Sequence, residues 1–314
     1  MSTGDQLRQS AGDLRPAGAV RQPTAAGRQP SGVIHDIGYQ RYTGVRLGAG
    51  YATRSLYTHG VRTVFGLGRG PKSKVFPWFS AGVLMLLAVV SVVVRARTGV
   101  IPITYLQLPL NGVLLVLLFL ATAAPELVSR DLRNQTLPLY FSRPIHRIDY
   151  ALAKFAALTT GIFAVLAAPM TVMFLGGAFS LSGADAVWNE FTDYLGGLLW
   201  ALVVALVYAP IALVIASLLR RSAVATAVIA GSFILTSGIG AAVGSILGGG
   251  DQGKQENITR LFSPPGILEG VKQWAYRISG VQVGNYGPVY LILAIALTVL
   301  ATGGLLLRYR RISV

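Results

Sequence analysis

LYFSRPIHRIDYALAKF, residues 139–155, gathers Arg143, His146, Arg147, Asp149 and Lys154 into one stretch between two long runs of Leu, Val and Ala. A chain that keeps charge out of its apolar runs and collects it between them is built to cross an apolar solvent and turn back in water. The composition agrees. Hydrophobic residues make up 53% and charged residues 12%, with a mean hydropathy of +0.58. That leaves too few charges to cover a soluble core of 314 residues. There is no cysteine, which excludes disulfides, thiolate metal sites and cysteine nucleophiles. His35, His59 and His146 all fall outside the apolar runs, which argues against a buried histidine metal site.

Six apolar segments lie near residues 76–94, 103–124, 151–177, 194–219, 222–247 and 287–307. Each suits a hydrocarbon core of about 30 Å at about 1.5 Å rise per residue. Lys154 is the one charged residue inside them, close to an end, from where it is expected to snorkel to the surface. Residues 1–46 are rich in Gly, Ala, Pro, Gln and Arg and read as a disordered basic tail without the apolar core of a secretory signal. Within 47–75, Tyr57, Val61, Val64 and Phe65 share one helical face and Arg54, Thr58 and Arg62 another. That pattern fits an amphipathic helix lying on the membrane surface ahead of a linker. A solvated helix or loop also fits, because Gly60 weakens the helix. Residues 76–310 then form the six-span domain.

Lys and Arg set the orientation. With both termini in the cytoplasm, 21 lie inside and six outside, while acidic residues divide six and six. The net charge of +15 therefore sits on one side, and anionic lipid rather than nucleic acid is its expected partner. Between the fifth and sixth spans, LFSPPGILEGVKQWAYRI (261–278) carries Pro264, Pro265 and Gly266, which interrupt the chain, and then Glu269, Trp274 and Tyr276. Trp274 and Tyr276 suit the headgroup level. One or two short helices dipping into the outer leaflet fit this stretch, and so does an ordered extracellular loop. GAAVG (240–244) offers a small-xxx-small face for close helix contact, although such patterns are frequent in Gly-rich spans.

An energy source is not evident on this chain. GLGRGPKS (66–73) approaches a phosphate-binding loop, but Pro71 stands where a glycine must supply a backbone N–H, and the stretch precedes a membrane span rather than following a strand. Neither G-x-S-x-G nor H-E-x-x-H occurs, and no histidine lies in a span, so intramembrane hydrolysis has no nucleophile and base. An ion-coupled transporter would need buried ionisable groups or broken helices at the midplane. The former are missing from the six segments, while the glycines of the fifth keep the latter open.

The stretch from Glu126 to Lys154 stands out. If 126–133 is helical, Glu126, Arg130 and Arg133 share a face, with Glu126 and Arg130 in the favourable i,i+4 order. Thr136 is placed to cap a short helix ending at Phe141, which Ser142-Arg143-Pro144 would terminate. The result is a short charged element tethered by two spans, so force applied to it reaches both. An ordinary positive-inside loop would need the arginines but not the Tyr140-Phe141 pair.

On these residues the chain resembles the integral membrane subunits of ABC-2 type transporters, over about 47–310. The most specific part is TLPLYFSRPIHRIDYALAK (136–154), similar to the family pattern of Gly-Thr-Leu, an apolar helix, Ser-Arg-Pro-Ile, a basic residue and a Lys in the next span. Gln135 stands where many members have Gly, and Pro138 falls inside the expected helix. The resemblance implies an all-α integral membrane protein of six transmembrane helices with an N-terminal interfacial helix. It further implies a cytoplasmic coupling helix between spans two and three, and short re-entrant helices between spans five and six. Coupling residues would be Glu126, Arg130, Arg133, Thr136, Leu139, Tyr140, Phe141, Arg143 and Arg147. The re-entrant segment would contain Pro264, Pro265, Gly266, Glu269 and Trp274. Two copies of a separate ABC ATP-binding subunit would bind ATP and Mg, leaving this chain without a cofactor of its own. A second permease, identical or related, would complete the pathway in the plasma (inner) membrane. Export of an amphipathic or hydrophobic substrate (drug, antibiotic, lipid or glycan) is the implied task. A membrane anchor or assembly protein without transport activity is the competing expectation.

Overall fold

The computed structural model describes residues 44, 48–142, 145–277 and 286–311, with Lys72 and Phe141 as backbone alone. The chain divides into Met1–Arg46 and Leu47–Val314, and the second unit is the one treated below. The basic tail (except Gly44), Arg143 and residues 278–280 of the outer segment lie outside the described residues.

The described residues form helices and no strand. α1 (Ala49–Val64) leads through a glycine-rich linker to α2 (Lys72–Thr98). A single turn, α3 (Leu108–Asn111), precedes α4 (Val113–Leu127). Two short helices, α5 (Ser129–Arg133) and α6 (Leu137–Phe141), then connect to the long α7 (Arg147–Ser180) and α8 (Ala184–Leu218). α9 (Ser222–Leu247) is followed by α10 (Gln252–Arg260), α11 (Pro264–Ala275) and α12 (Gly287–Arg311).

Among the described residues, six helical stretches are long and apolar enough to span a membrane: Ser73–Thr98, Val113–Arg133, Arg147–Ser180, Ala184–Leu218, Ser222–Leu247 and Gly287–Arg311. Their surface is inverted relative to a soluble bundle. Leu86 on α2, Ile246 on α9 and Leu300 on α12 are 61, 76 and 73% exposed. That distribution is costly in water and free of cost against lipid tails. The interior gathers on α4, α7 and α8. Along α8, Ala201, Ala205, Ala209, Ala212 and Ala216 are all fully buried. Small side chains at three- and four-residue spacing let the neighbouring backbones approach, which drives packing where no hydrophobic effect operates between helices.

Several element boundaries differ from the sequence reading, three of them near polar residues. The second span starts at Val113 instead of 103, because the turn and α3 occupy 103–111. The fourth starts at Ala184 instead of 194, so Asp185, Glu190 and Asp193 stand on helical turns where a loop was expected. The second span also breaks at Val128 (φ −123°, ψ −54°) instead of running unbroken to Arg133.

α1 packs along α7, and its buried residues are Leu56, Gly60, Thr63 and Val64. Gly60 is a contact requirement more than a weakness: a Cβ there would lie 2.7 Å from that of Ala157. One turn on, Gly161 makes the reciprocal space for Val64. Tyr57 OH and Thr160 Oγ1 meet at 3.0 Å on the same seam.

The glycines of α9 also have an occupant. Gly240, Gly244 and Gly248 form a stripe against which α10 lies, facing the carbonyl and Oγ1 of Thr259 and the side chain of Gln255. Gly238, on another face of α9, meets nothing within 4 Å. Gly244→Leu is therefore expected to lower stability by about 1–3 kcal/mol through overpacking against α10 backbone, while Gly238→Leu changes it by less than about 0.5 kcal/mol. Thermal unfolding of both variants in one detergent checks the pair; equal midpoints would show that α10 does not rest on this stripe.

Candidate functional site

The loop between the second and third spans is braced from within. Asp131 on α5 is the hub: its Oδ2 accepts from Tyr150 OH at 2.6 Å and from Lys154 Nζ at 2.8 Å, both on α7. Its main-chain carbonyl accepts from Thr136 N at 3.2 Å and Thr136 Oγ1 at 3.3 Å. Lys154 is only 2% exposed, so it does not snorkel; the Asp131 carboxylate brings its counter-charge to the buried ammonium. The Tyr150 ring lies 5.6 Å from that of Tyr140 on α6 and 5.1 Å from that of Tyr309 on α12, so α5, α6, α7 and α12 meet around it.

A second brace comes from the linker before α2. Arg69 forms an ion pair with Glu126, which also accepts from Arg130 at 3.3 Å across the Val128 break. Burial pushes the Arg69 guanidinium down from its ordinary range, and the Glu126 charge opposes that. His59 on α1 is likewise pushed down, first by burial and then by the nearby Lys154 and Arg69 charges, so it is neutral at physiological pH. Ser129 Oγ donates to the carbonyl of Ala216 at 2.8 Å and ties α5 to α8.

The nine residues expected to face a partner thus divide. Arg133 and Leu139 are exposed, Leu139 at 69%. Glu126, Thr136 and Tyr140 turn toward the chain's own braces, and Arg147 NH1 donates to the Arg310 carbonyl at 2.9 Å. Arg130 is half-exposed beside Glu126. Phe141 ends α6, and Arg143 lies outside the described residues. Thr136 occupies the N-cap position, but its hydroxyl donates back to Asp131 without capping α6. Pro138 is accommodated in the first turn, where its missing N–H has no helical partner to lose. Gln135 adopts φ +51°, the conformation for which glycine is the usual choice.

At the opposite end of the bundle, Arg95 of α2 makes two bonds of 2.7 Å to Glu190 of α8. Tyr105 OH donates to Glu190 Oε1. Burial and that bond push the Tyr105 phenol well up. Gly177 of α7 makes the crossing possible, since a Cβ there would lie 2.6 Å from Arg95 NH1. Buried ionisable groups are therefore present, paired, and lie on turns that the sequence reading left in a loop.

The segment between α9 and α12 holds two helices. Asp251 caps α10 by accepting from Gly253 N and Lys254 N at 2.9 and 3.2 Å. Ser263 caps α11, accepting from Gly266 N at 3.1 Å, and Pro264 and Pro265 open its first turn. The prolines therefore end one helix and begin the next. A Cβ on Gly266 would come within 2.6 Å of the Arg260 carbonyl. Glu269 accepts from Lys272 Nζ at 3.0 Å and Gln273 Nε2 at 2.8 Å, and Gln273 accepts from Arg260 NH1 at 2.7 Å. Trp274 is 40% exposed, with its ring beside Gly287. Tyr276 OH reaches the carbonyl of Gly196 on α8 at 3.1 Å.

Six apolar helices around an internally braced polar loop define a multi-pass membrane protein. The model of the ABC-2 family transporter proteins matches residues 80–311, and the chain belongs to that family. It is accordingly the membrane subunit of an ABC transporter, a transport component and not itself a catalyst, and the family implies association with an ABC ATP-binding subunit. No curated protein matches the chain.

Proposed function

We propose that the chain is the permease of an ATP-driven exporter of hydrophobic or amphipathic molecules, with the α5–α6 element as the surface that an ATP-binding subunit pushes. The observation that carries this reading is the division within the loop. Arg133, Pro138 and Leu139 are exposed at its tip, while Asp131 and Tyr140 are held against α7 beneath them and Thr136 is bonded back to Asp131. A tip held this rigidly moves with the third span when pushed, and a loop that served only to join two helices would need no such braces. The charge distribution supports placing this end in the cytoplasm with both termini. Two ATP-binding subunits and two permease copies would complete the assembly in the plasma membrane. α10 and α11, folded back against α9, α8 and α12, would serve as the re-entrant element that closes the outer side.

Leu139→Asp combined with Arg133→Glu tests the assignment, because both side chains are exposed and neither braces the fold. The variant is expected to insert normally, to lose its ATP-binding subunit during native purification, and to lose ATP-dependent transport in vesicles by at least tenfold. Normal subunit retention with normal transport would overturn the assignment. Recovery of the wild-type chain alone under several gentle detergents would favour the anchor reading.

A further inference from the structure

The end of the bundle that carries Arg95 and Glu190 encloses a cavity of about 290 Å³ between α2, α7, α8 and the turn before α3. Its walls are largely apolar, with Val92, Ile103, Leu106 and Met173 among them. Polar side chains share the lining, and the two largest cationic and anionic groups among them are already engaged with each other. Both terminal nitrogens of Arg95 are bound to Glu190, and Tyr105 donates to the same carboxylate. Gln107 Oε1 accepts from Thr104 N at 3.2 Å. Asp193, exposed at the mouth, has no hydrogen bond or ion pair among the described residues. Arg95 and Glu190 cancel, so the lining carries one uncompensated negative charge, that of Asp193. An anion would find its cation occupied, and a wholly apolar molecule would leave the carboxylate unused.

From this arrangement we infer that the cavity is a binding site for a small amphipathic amine. The apolar body lies against Val92, Ile103, Leu106 and Met173, and the ammonium donates to Asp193. A compact apolar pocket with one convergent charge is the usual make-up of a small-molecule site. A charge-assisted bond from an ammonium to an exposed carboxylate discriminates against a neutral isostere by about two- to fivefold. The inference goes beyond the transport reading and stands without it, because binding at this end requires neither ATP nor a partner subunit.

The test uses the full-length chain in nanodiscs and three probes of one shape: 2-(1-naphthyl)ethylamine, 2-(1-naphthyl)ethanol and 1-naphthylacetate. Saturable binding is read by calorimetry against empty nanodiscs. The amine is expected to bind about two- to fivefold more tightly than the alcohol, and the acid not to saturate. Asp193→Asn should bring the amine down to the alcohol's affinity; the position is exposed, so the fold should be unaffected. Filling the cavity with Ile103→Trp, or from the exposed position Ile101→Trp, should abolish saturable binding of both, with thermal midpoints showing that each variant is folded. Equal affinity for amine and alcohol would overturn the inference, as would an unchanged affinity in Asp193→Asn. Saturable binding that survives in folded cavity-filled variants would overturn it too, placing the probe elsewhere on the protein.

Discussion

Asp131→Ala is expected to lower the stability of the chain by about 3–5 kcal/mol, the range for removing one partner of a buried ion pair. The residue left behind decides the size of the effect. Lys154 is 2% exposed, and without Asp131 its ammonium keeps no counter-charge within bonding distance among the described residues. Tyr150 loses its acceptor at 2.6 Å in the same change. Lys154→Met should cost less, because the carboxylate it leaves retains the tyrosine hydroxyl and partial access to solvent. The double variant Asp131→Ala/Lys154→Met should recover most of the loss, since an apolar pair of similar volume replaces an ionic one. A double-mutant cycle of unfolding in mixed micelles reads the coupling directly. Additive losses would mean that the two groups do not stabilise each other, and the brace under the loop would then have to be ascribed to the tyrosines.

Glu190→Ala is expected to cost a comparable amount, about 3 kcal/mol, at the other end. It strips two bonds of 2.7 Å from Arg95 and the acceptor from Tyr105, and it leaves a guanidinium that is 17% exposed without a partner. Arg95→Met in the Glu190→Ala background should restore stability, whereas Arg95→Met alone should not. Glu190→Gln should fall between wild type and alanine, because the amide oxygen still accepts one bond while its nitrogen faces the arginine as a second donor. Thermal midpoints of the four variants in one lipid composition would show this order. Equal midpoints for alanine and glutamine would indicate that packing at Gly177, and not charge, holds the three helices together.

Much of the architecture could be read directly from the residues. Long apolar runs determine six spans because the hydrocarbon core has a fixed thickness, and the family pattern at 136–154 could be recognised from its residue order alone. Helix ends were harder. The third and fourth spans overshoot the apolar runs because polar turns continue a helix once it leaves the lipid, and Glu190 was lost from view for that reason. Lys154 was misread because a sequence shows a charge near a helix end but not the carboxylate of another helix beside it. Asp131 lies only five residues before Thr136, yet nothing in its spacing distinguishes it from the flanking charges. The asymmetry between Asp131 and the many arginines was the available signal, since it is the one acid in the stretch 127–148. The glycine stripe of α9 was visible as a pattern, whereas its occupant α10 follows only from tertiary contact.

The two charged clasps also bear on the membrane itself. Lys154, at the first, and Gly177, beside the second, are twenty-three residues apart on α7, a rise of about 35 Å at about 1.5 Å per residue. The first clasp bonds α7 to α5, and the second joins α2 to α8 across the face of α7 at Gly177. If the two clasps lie at the edges of the apolar layer, their separation suits a membrane slightly thicker than the common core of about 30 Å. In a thin bilayer the lipid must stretch or the helices must lean to keep both clasps at its edges.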